Sequence, residues 1–421
     1  MRLLFAVATV LGLATGAPAA ADPAAPAALA PAAPARTSGW PVGVIPQAPA
    51  NFRVIAFARG LDGPRSLLVL PNGDVLVAES RGAATGGAPS ANRVTLLRDT
   101  TGAGVADTRF ALVTGLERPA GLALRRDRLL IANTDALLSC PFLVGQTRLH
   151  GECHPILDLP AAGGHDHWAR TLALNPEESR LFIGIGSSGD SDPDYRDASD
   201  RTRATILDAR PDGHDAKTFA SGLRDPGALT FDPSTSHLYA TVSERALPDG
   251  SRAGDFFTRI ADGAFYGWPW AVLGKHEDPR RAGQHAELVA KTVAPDVLLP
   301  PGSSPLGAVF YSREQFPKDY RGAAFIALAG TPGLAGGYKV VAIPFRDGRP
   351  SGPPEDFLTG FTGDALGAEV YGRPVAVAVA TDGTLLAADE IGNTVWRVIF
   401  KCAACTPDPY PVRRLDPRPA R

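Results

Sequence analysis

The sequence predicts an all-β protein, a six-bladed β-propeller of four-stranded antiparallel sheets. Three observations predict it. A turn followed by a short apolar strand returns six times, in LPNGDVLVAES, LRRDRLLIANT, NPEESRLFIGIG, DPSTSHLYATVSE, YRGAAFIALAG and ATDGTLLAADE. Upstream of several copies lies a second short strand: GPRSLLVL, RPAGLAL, HWARTLAL, DPGALTF and GRPVAVAV. The 45 Gly and 39 Pro of the 421 residues suit many strands joined by turns better than long helices.

The copies recur every roughly 50 to 60 residues, which allots one small antiparallel sheet to each, and sheets repeated at that period close radially into a propeller. A pair of β-sandwiches would space its strands evenly without repeating a phrase. The fourth interval is longer, and a large insertion from Ala246 to Leu306 accounts for it. Loops that grow from one face of a repeat scaffold are common places for ligands.

Ahead of the repeats, residues 1–21 read as a cleaved secretory signal, with Arg2, an apolar run from Leu3 to Leu13, and Ala19-Ala20-Ala21 before Asp22. Residues 22–50 are Pro/Ala-rich and predict an extended leader. The propeller is expected over 51–401, and 402–421 form a C-terminal tail with a CxxC. No segment has the run of about 20 apolar residues that a membrane span needs. The expectation is a periplasmic or secreted, soluble protein with no stable membrane insertion.

The four cysteines suit an oxidising compartment, and two local disulfides, Cys140 with Cys153 and Cys402 with Cys405, are the preferred reading. A zinc site made of all four is the alternative. The net charge of −2 and pI near 6.5 provide no field for a polyanion, so no nucleic acid is expected.

In a propeller the strands nearest the axis deliver side chains to one end of the channel. His167 and Arg170 in HWAR, Arg224 in GLRDPGAL, Glu244 and Arg245 in TVSERAL, and Arg373 in YGRPVAV occupy such positions. Guanidinium forks bind carboxylates bidentately, and an imidazole beside cations is pushed toward the neutral form that accepts a proton. Together they describe an anionic-ligand site holding a base. A His165-Asp166-His167 metal group has no third ligand on one face.

The ordered set GGHDHWARTLAL, FIGIGSSGD, FASGLRDPGAL, LYATVSERA, ADGAFYGWPW, GYKVVAIPF and YGRPVAVAVATDGTLL resembles the soluble glucose/sorbosone dehydrogenases that use pyrroloquinoline quinone (PQQ), most of all their sorbosone or pyranose dehydrogenase branch. The resemblance implies PQQ across one end of the channel with Ca²⁺ bound to it, a sugar or polyol substrate, and an external electron acceptor. It implies that His167 is the general base and that Arg224 lies beside the reacting carbonyl. It implies further that Arg170, Ser187, Ser188, Arg224, Asp225 and Arg373 contact the cofactor. Glu244, Arg245 and Ala246, in the loop from Ser243, would hold Ca²⁺ largely through backbone carbonyls, as a hard cation prefers.

Three departures accompany it. Asp225 stands where the family usually has Asn, Ser243-Glu244-Arg245-Ala246 where that branch reads Asn-Glu-Arg-Asp, and Gly330-Thr331-Pro332-Gly333 where an aromatic and a cation are usual. Two other functions therefore stay open. One is a non-catalytic binding propeller; the other is a Ca²⁺-dependent lactonase-like hydrolase using Glu79, Asn133, Glu244 and Asp389.

Overall fold

Six four-stranded antiparallel sheets surround a central axis in the computed structural model, which describes residues 36–81, 90–161, 167–189, 202–249, 251–364 and 367–401. The inner strands of blades one to six are Pro64–Val69, Gly121–Arg125, Arg170–Leu174, Pro226–Phe231, Pro305–Phe310 and Pro374–Val379. Each packs against the inner strand of the next blade, and the sixth packs against the first. The ring closes through sequence as well as packing. Phe52–Arg59 pairs with Thr394–Phe400 as the outermost strand of blade six, so the first strand of the propeller completes its last sheet and leaves no open seam between blades.

The second strands are Val75–Glu79, Arg128–Ala132, Leu181–Ile185, Leu238–Val242, Ala324–Leu328 and Leu385–Asp389. All but Arg128 at the head of one are buried throughout. They lie between neighbouring sheets with both faces covered, so they read as continuous apolar runs rather than alternating ones. These strands are the recurring phrase seen in the sequence.

Four of the six inner strands begin with proline and break register one residue later, between Pro64 and Ser66, Pro226 and Ala228, Pro305 and Gly307, and Pro374 and Ala376. Proline gives up no ladder donor at a strand's first position, and the extra residue re-aims the chain at the rim. Just inside the rim, the channel is walled by Ser66, Gly121, Thr171, Ala228, Gly307 and Ala376, enclosing about 110 Å³. Small side chains are needed there because the blades nearly touch. A methyl group on Gly227 would lie 2.2 Å from the Pro305 carbonyl oxygen, and one on Gly307 2.6 Å from the Ala376 Cα.

The long fourth interval has a different anatomy from the single insertion expected over Ala246 to Leu306. Asp255–Arg259 and Val297–Leu299 within it are the third and fourth strands of blade four. The excursion proper lies between them, with a hairpin of Ala271–Val272 and His276–Glu277 and a short helix, Ala286–Val289. Blade five also has the inner strand SPLGAVF, which the sequence repeat did not single out.

Residues 36–50 are extended and docked: Arg36–Thr37 pairs with Glu369–Val370, and Gln47 bridges to Thr359. Cys140 and Cys153 form a disulfide across the excursion between the third and fourth strands of blade two. Cys402, Cys405 and the expected signal segment lie outside the described residues.

Gly227→Ala is expected to cost about 1–3 kcal/mol, because the methyl meets backbone that cannot move aside. Gly189→Ala, with open space around it, is expected to stay within about 0.5 kcal/mol of wild type. Urea unfolding of both variants checks the contrast, and equal costs would reject close blade approach as its cause.

Candidate functional site

In an antiparallel sheet the start of the first strand and the end of the second lie at the same edge. The segments before each inner strand and after each second strand therefore share one rim of the channel. The sequence-selected residues come from these segments: His167 and Arg170, Arg224 and Asp225, and Arg373 before inner strands, and Ser187, Ser188 and Ser243 to Ala246 after second strands.

The structure joins most of them in a continuous chain of contacts. Arg373 donates to Glu390 at 2.7 Å, and Arg65 stands 3.9 Å from the other oxygen of Glu390. The Arg65 guanidinium lies over the Trp168 ring at 5.1 Å, with Arg118 at 5.9 Å, favourable placements for cations on an indole. Trp168 is followed by Ala169 and Arg170 and preceded by His167. Gly186 separates His167 from Asp225: a methyl there would lie 2.4 Å from the His167 Cβ and 2.8 Å from an Asp225 carboxylate oxygen. Arg224 then donates to the carbonyls of Ser243 at 3.0 Å and Glu244 at 3.2 Å. Blades six, one, three and four thus meet at one rim.

His167 has a left-handed backbone, φ 46°, uncommon outside glycine and worth a reason. Arg170 supplies one. Fully buried, it donates to the carbonyls of His167 at 2.8 Å, Ala169 at 3.3 Å and Pro160 at 2.5 Å. Burial, with Arg203 nearby, lowers its pKa to about 10. Its guanidinium is engaged in holding the bend at His167, so its place is behind the base rather than on a ligand.

The imidazole is oriented by Ser187. Nδ1 lies 3.1 Å from the Ser187 carbonyl oxygen and 3.0 Å from its Oγ, while Oγ donates to the Gly189 carbonyl. A carbonyl can only accept, so Nδ1 carries the proton and the lone pair sits on Nε2. Arg203 also donates to the Ser187 carbonyl, at 3.4 Å. Ser188 follows on the same turn, half-buried.

The loop expected to bind Ca²⁺ has its backbone carbonyls engaged. The Ser243 and Glu244 carbonyls accept from Arg224, the Arg245 carbonyl from the Ala253 amide at 3.1 Å, and the Ala246 carbonyl from Arg280 at 2.6 Å. Arg245 is buried, donates to Asp278 and the Pro269 carbonyl, and lies 4.2 Å from the Trp268 ring centroid. A divalent ion here would face guanidinium groups across the oxygens meant to hold it. Among the described residues no three His, Cys, Asp or Glu gather as a metal site. The backbone carbonyls expected to hold the ion are thus taken by other donors, and the Glu244 carboxylate of the loop is left without a hydrogen bond.

Two of the carboxylates considered for a hydrolase, Glu79 and Asp389, are held by protein donors. Glu79 takes a bidentate pair from Arg93 at 2.7 and 2.9 Å and further donors from Thr95 and the Asp62 amide. Asp389 accepts four N–H groups. Both complete the interior of their blades.

Sequence reading missed Arg65, Arg203 and Glu390. Arg65 follows its proline, whereas Arg373 precedes its own. Pro64 starts a bulge, and the different place of the arginine relative to its proline hid Arg65, which shares an acid with Arg373.

Glu244 is the anomaly. Its carboxyl is buried with no hydrogen bond to either oxygen, and Arg245 is 3.9 Å away. Burial pushes its pKa up to about 6, against the pull of Arg245 and Arg224. The folded chain holds this proton more tightly than the unfolded one, so the group's stabilisation is full below pH 4.5 and is lost as pH rises through about 6. Glu244→Gln is therefore expected to be more stable than wild type by about 1–2 kcal/mol at pH 8 and equal to it at pH 4. Urea melts at both pH values test this, and a gap that does not change with pH would refute it.

Comparison with known proteins follows the same residues. Residues 145–335 match the family model for Glucose / Sorbosone dehydrogenase. An uncharacterized protein of Borreliella burgdorferi is 25% identical over 247 residues, 58% of this chain and 63% of its own length; the chain thus spans less than two thirds of that relative. The calcium structure of Trichoderma reesei Carbohydrate-Active Enzymes Family AA12 superposes with a TM-score of 0.71 at 17% identity, covering 87% of this chain and all of its own. The holo form of the pyranose dehydrogenase PQQ domain from Coprinopsis cinerea superposes with a TM-score of 0.68 at 17% identity, covering 86% and 98%. The two structures share the fold. The stretch that carries His167, Ser187, Arg224 and the loop from Ser243 falls within residues 145–335, the part of the chain similar to the Glucose / Sorbosone dehydrogenase family model.

Proposed function

We propose that the arginine-lined rim binds PQQ and that the protein is an exported dehydrogenase oxidising a sugar or related alcohol. The observation that carries this is the contact chain from Arg373 through Glu390, Arg65 and Trp168 to His167, which sets cations from two blades beside an oriented imidazole.

The residues suit a multiply anionic, planar ligand. Arg65 and Arg373 share Glu390, so each keeps donors for an incoming carboxylate, and bidentate guanidinium contacts give both orientation and charge. Arg224 adds a third cation from blade four, tethered by two carbonyls. When bound, PQQ supplies the two-electron acceptor for hydride from the carbon bearing the hydroxyl, with an external acceptor taking the electrons onward.

The protein's part is binding, orientation and proton transfer. His167 takes the hydroxyl proton at Nε2, since Nδ1 is committed to Ser187. The imidazolium so formed keeps its Nδ1–H bond to the Ser187 carbonyl.

His167→Gln is expected to lower kcat by at least about a hundredfold while leaving the PQQ Kd within about twofold; an active variant would reject the base. Arg65→Gln and Arg373→Gln are each expected to weaken PQQ by roughly tenfold or more, read by titrating the quinone absorption. Chelation by EDTA is expected to leave the PQQ Kd unchanged. A wild-type protein that binds no PQQ, with or without added Ca²⁺, would overturn the proposal.

A further inference from the structure

The segment before the propeller reaches the rim through one side chain. Trp40 lies in the docked stretch 36–50, and its indole N–H donates to Oδ2 of Asp389 at 2.6 Å. Trp396 donates to the same oxygen at 3.1 Å. The other oxygen, Oδ1, accepts the backbone N–H of Arg373 at 2.7 Å and of Gly392 at 2.8 Å. Asp389 is wholly buried. Among the described residues no cation pairs with it; four N–H groups carry its charge, as a buried carboxylate requires.

Arg373 is fixed three times over by this pair of adjacent acids. Asp389 holds its amide, the Glu390 amide donates to its carbonyl at 2.9 Å, and the Glu390 carboxylate holds its guanidinium at 2.7 Å. Two glycines make the space. A methyl on Gly372 would lie 2.4 Å from Asp389 Oδ2, and one on Gly392 2.1 Å from the same oxygen and 2.5 Å from Trp40 Nε1. The strap itself is fastened to the segment that leads into Arg373, since Arg36 and Ser38 donate to the Ala368 and Val370 carbonyls. The Trp40 ring packs against Phe361, Tyr371 and Trp396, with centroids 5.4, 6.0 and 5.1 Å away.

We propose that Trp40 is a positioning residue for Arg373: its indole N–H fixes one oxygen of Asp389 so that the other clamps the Arg373 amide, making the N-terminal strap part of the anion-binding rim. The inference rests on reading Arg373 as a ligand-holding residue. Two consequences separate it from that reading, one local to the backbone and one at the ligand.

The test uses the full chain with Trp40→Phe, which keeps a ring in place and removes the donor, and Phe361→Leu, which loosens the packing and keeps the donor. Residue-resolved hydrogen exchange reads the Arg373 amide, titration reads PQQ, and a melting curve confirms folding. Trp40→Phe is expected to speed exchange at Arg373 by about tenfold and to weaken PQQ roughly three- to tenfold, with Phe361→Leu within about twofold of wild type on both. Gly392→Ala, which separates Asp389 from Trp40 on the opposite side, is expected to reproduce the exchange result and stands in if Trp40→Phe does not fold.

Unchanged exchange in Trp40→Phe, or equal effects from Phe361→Leu, would overturn the clamp. Faster exchange with an unaltered PQQ Kd would overturn the positioning role. If the wild type binds no PQQ, the proposed function falls on that result, and the exchange contrast still decides the clamp.

Discussion

Close approach of the six inner strands around the axis is the constraint on which the rest depends. At Gly227, Gly307 and Gly121 the next blade stands within 3 Å of where a Cβ would be, so the ring closes only with minimal side chains inside it. The channel is consequently narrow and walled by small side chains, Ser66 and Thr171 among them, and the charged groups lie at the rim. Proline followed by a bulge at four of the inner strands is how the chain leaves that crowded wall. The bulged Arg65 is one of the rim's cations.

At the rim the balance of charge is set by desolvation. Arginines from five segments meet few carboxylates, and several spend their donors on backbone carbonyls: Arg170 on three, Arg224 on two, Arg203 on Ser187. A guanidinium on a carbonyl is held without being neutralised, so the rim keeps a positive field for an anion. Arg373 and Arg65 differ in sharing Glu390. Between these two arrangements lies His167, whose strained backbone and fixed tautomer both come from neighbours that never face the channel.

The sequence made the propeller legible because the second strand of every blade is covered on both faces and so is mostly apolar. It allowed His167, Arg224 and Arg373 to be placed at the rim because each precedes an inner strand at a repeated position. Arg170 was legible as a rim residue but its direction was not: whether a guanidinium faces the axis or turns back onto carbonyls depends on which carbonyls the fold brings near. The loop from Ser243 is the same case. Its carbonyls are common to any sequence, and what occupies them here, Arg224, Arg280 and the Ala253 amide, comes from elsewhere in the chain.

Local pattern alone therefore determined the class of fold and the number of blades, since both follow from burial period, and the short spacing of Cys140 and Cys153 made their disulfide the preferred pairing. Tertiary structure alone decided which groups share a partner. Trp40 and Asp389 are 349 residues apart and Arg65 and Glu390 lie on different blades, and no local pattern encodes a contact made only when the first strand closes the last sheet. The stretch 36–50, Pro-rich and unremarkable in composition, acquires its place from pairing with Glu369–Val370 and Thr359 and from an indole N–H given to a buried carboxylate.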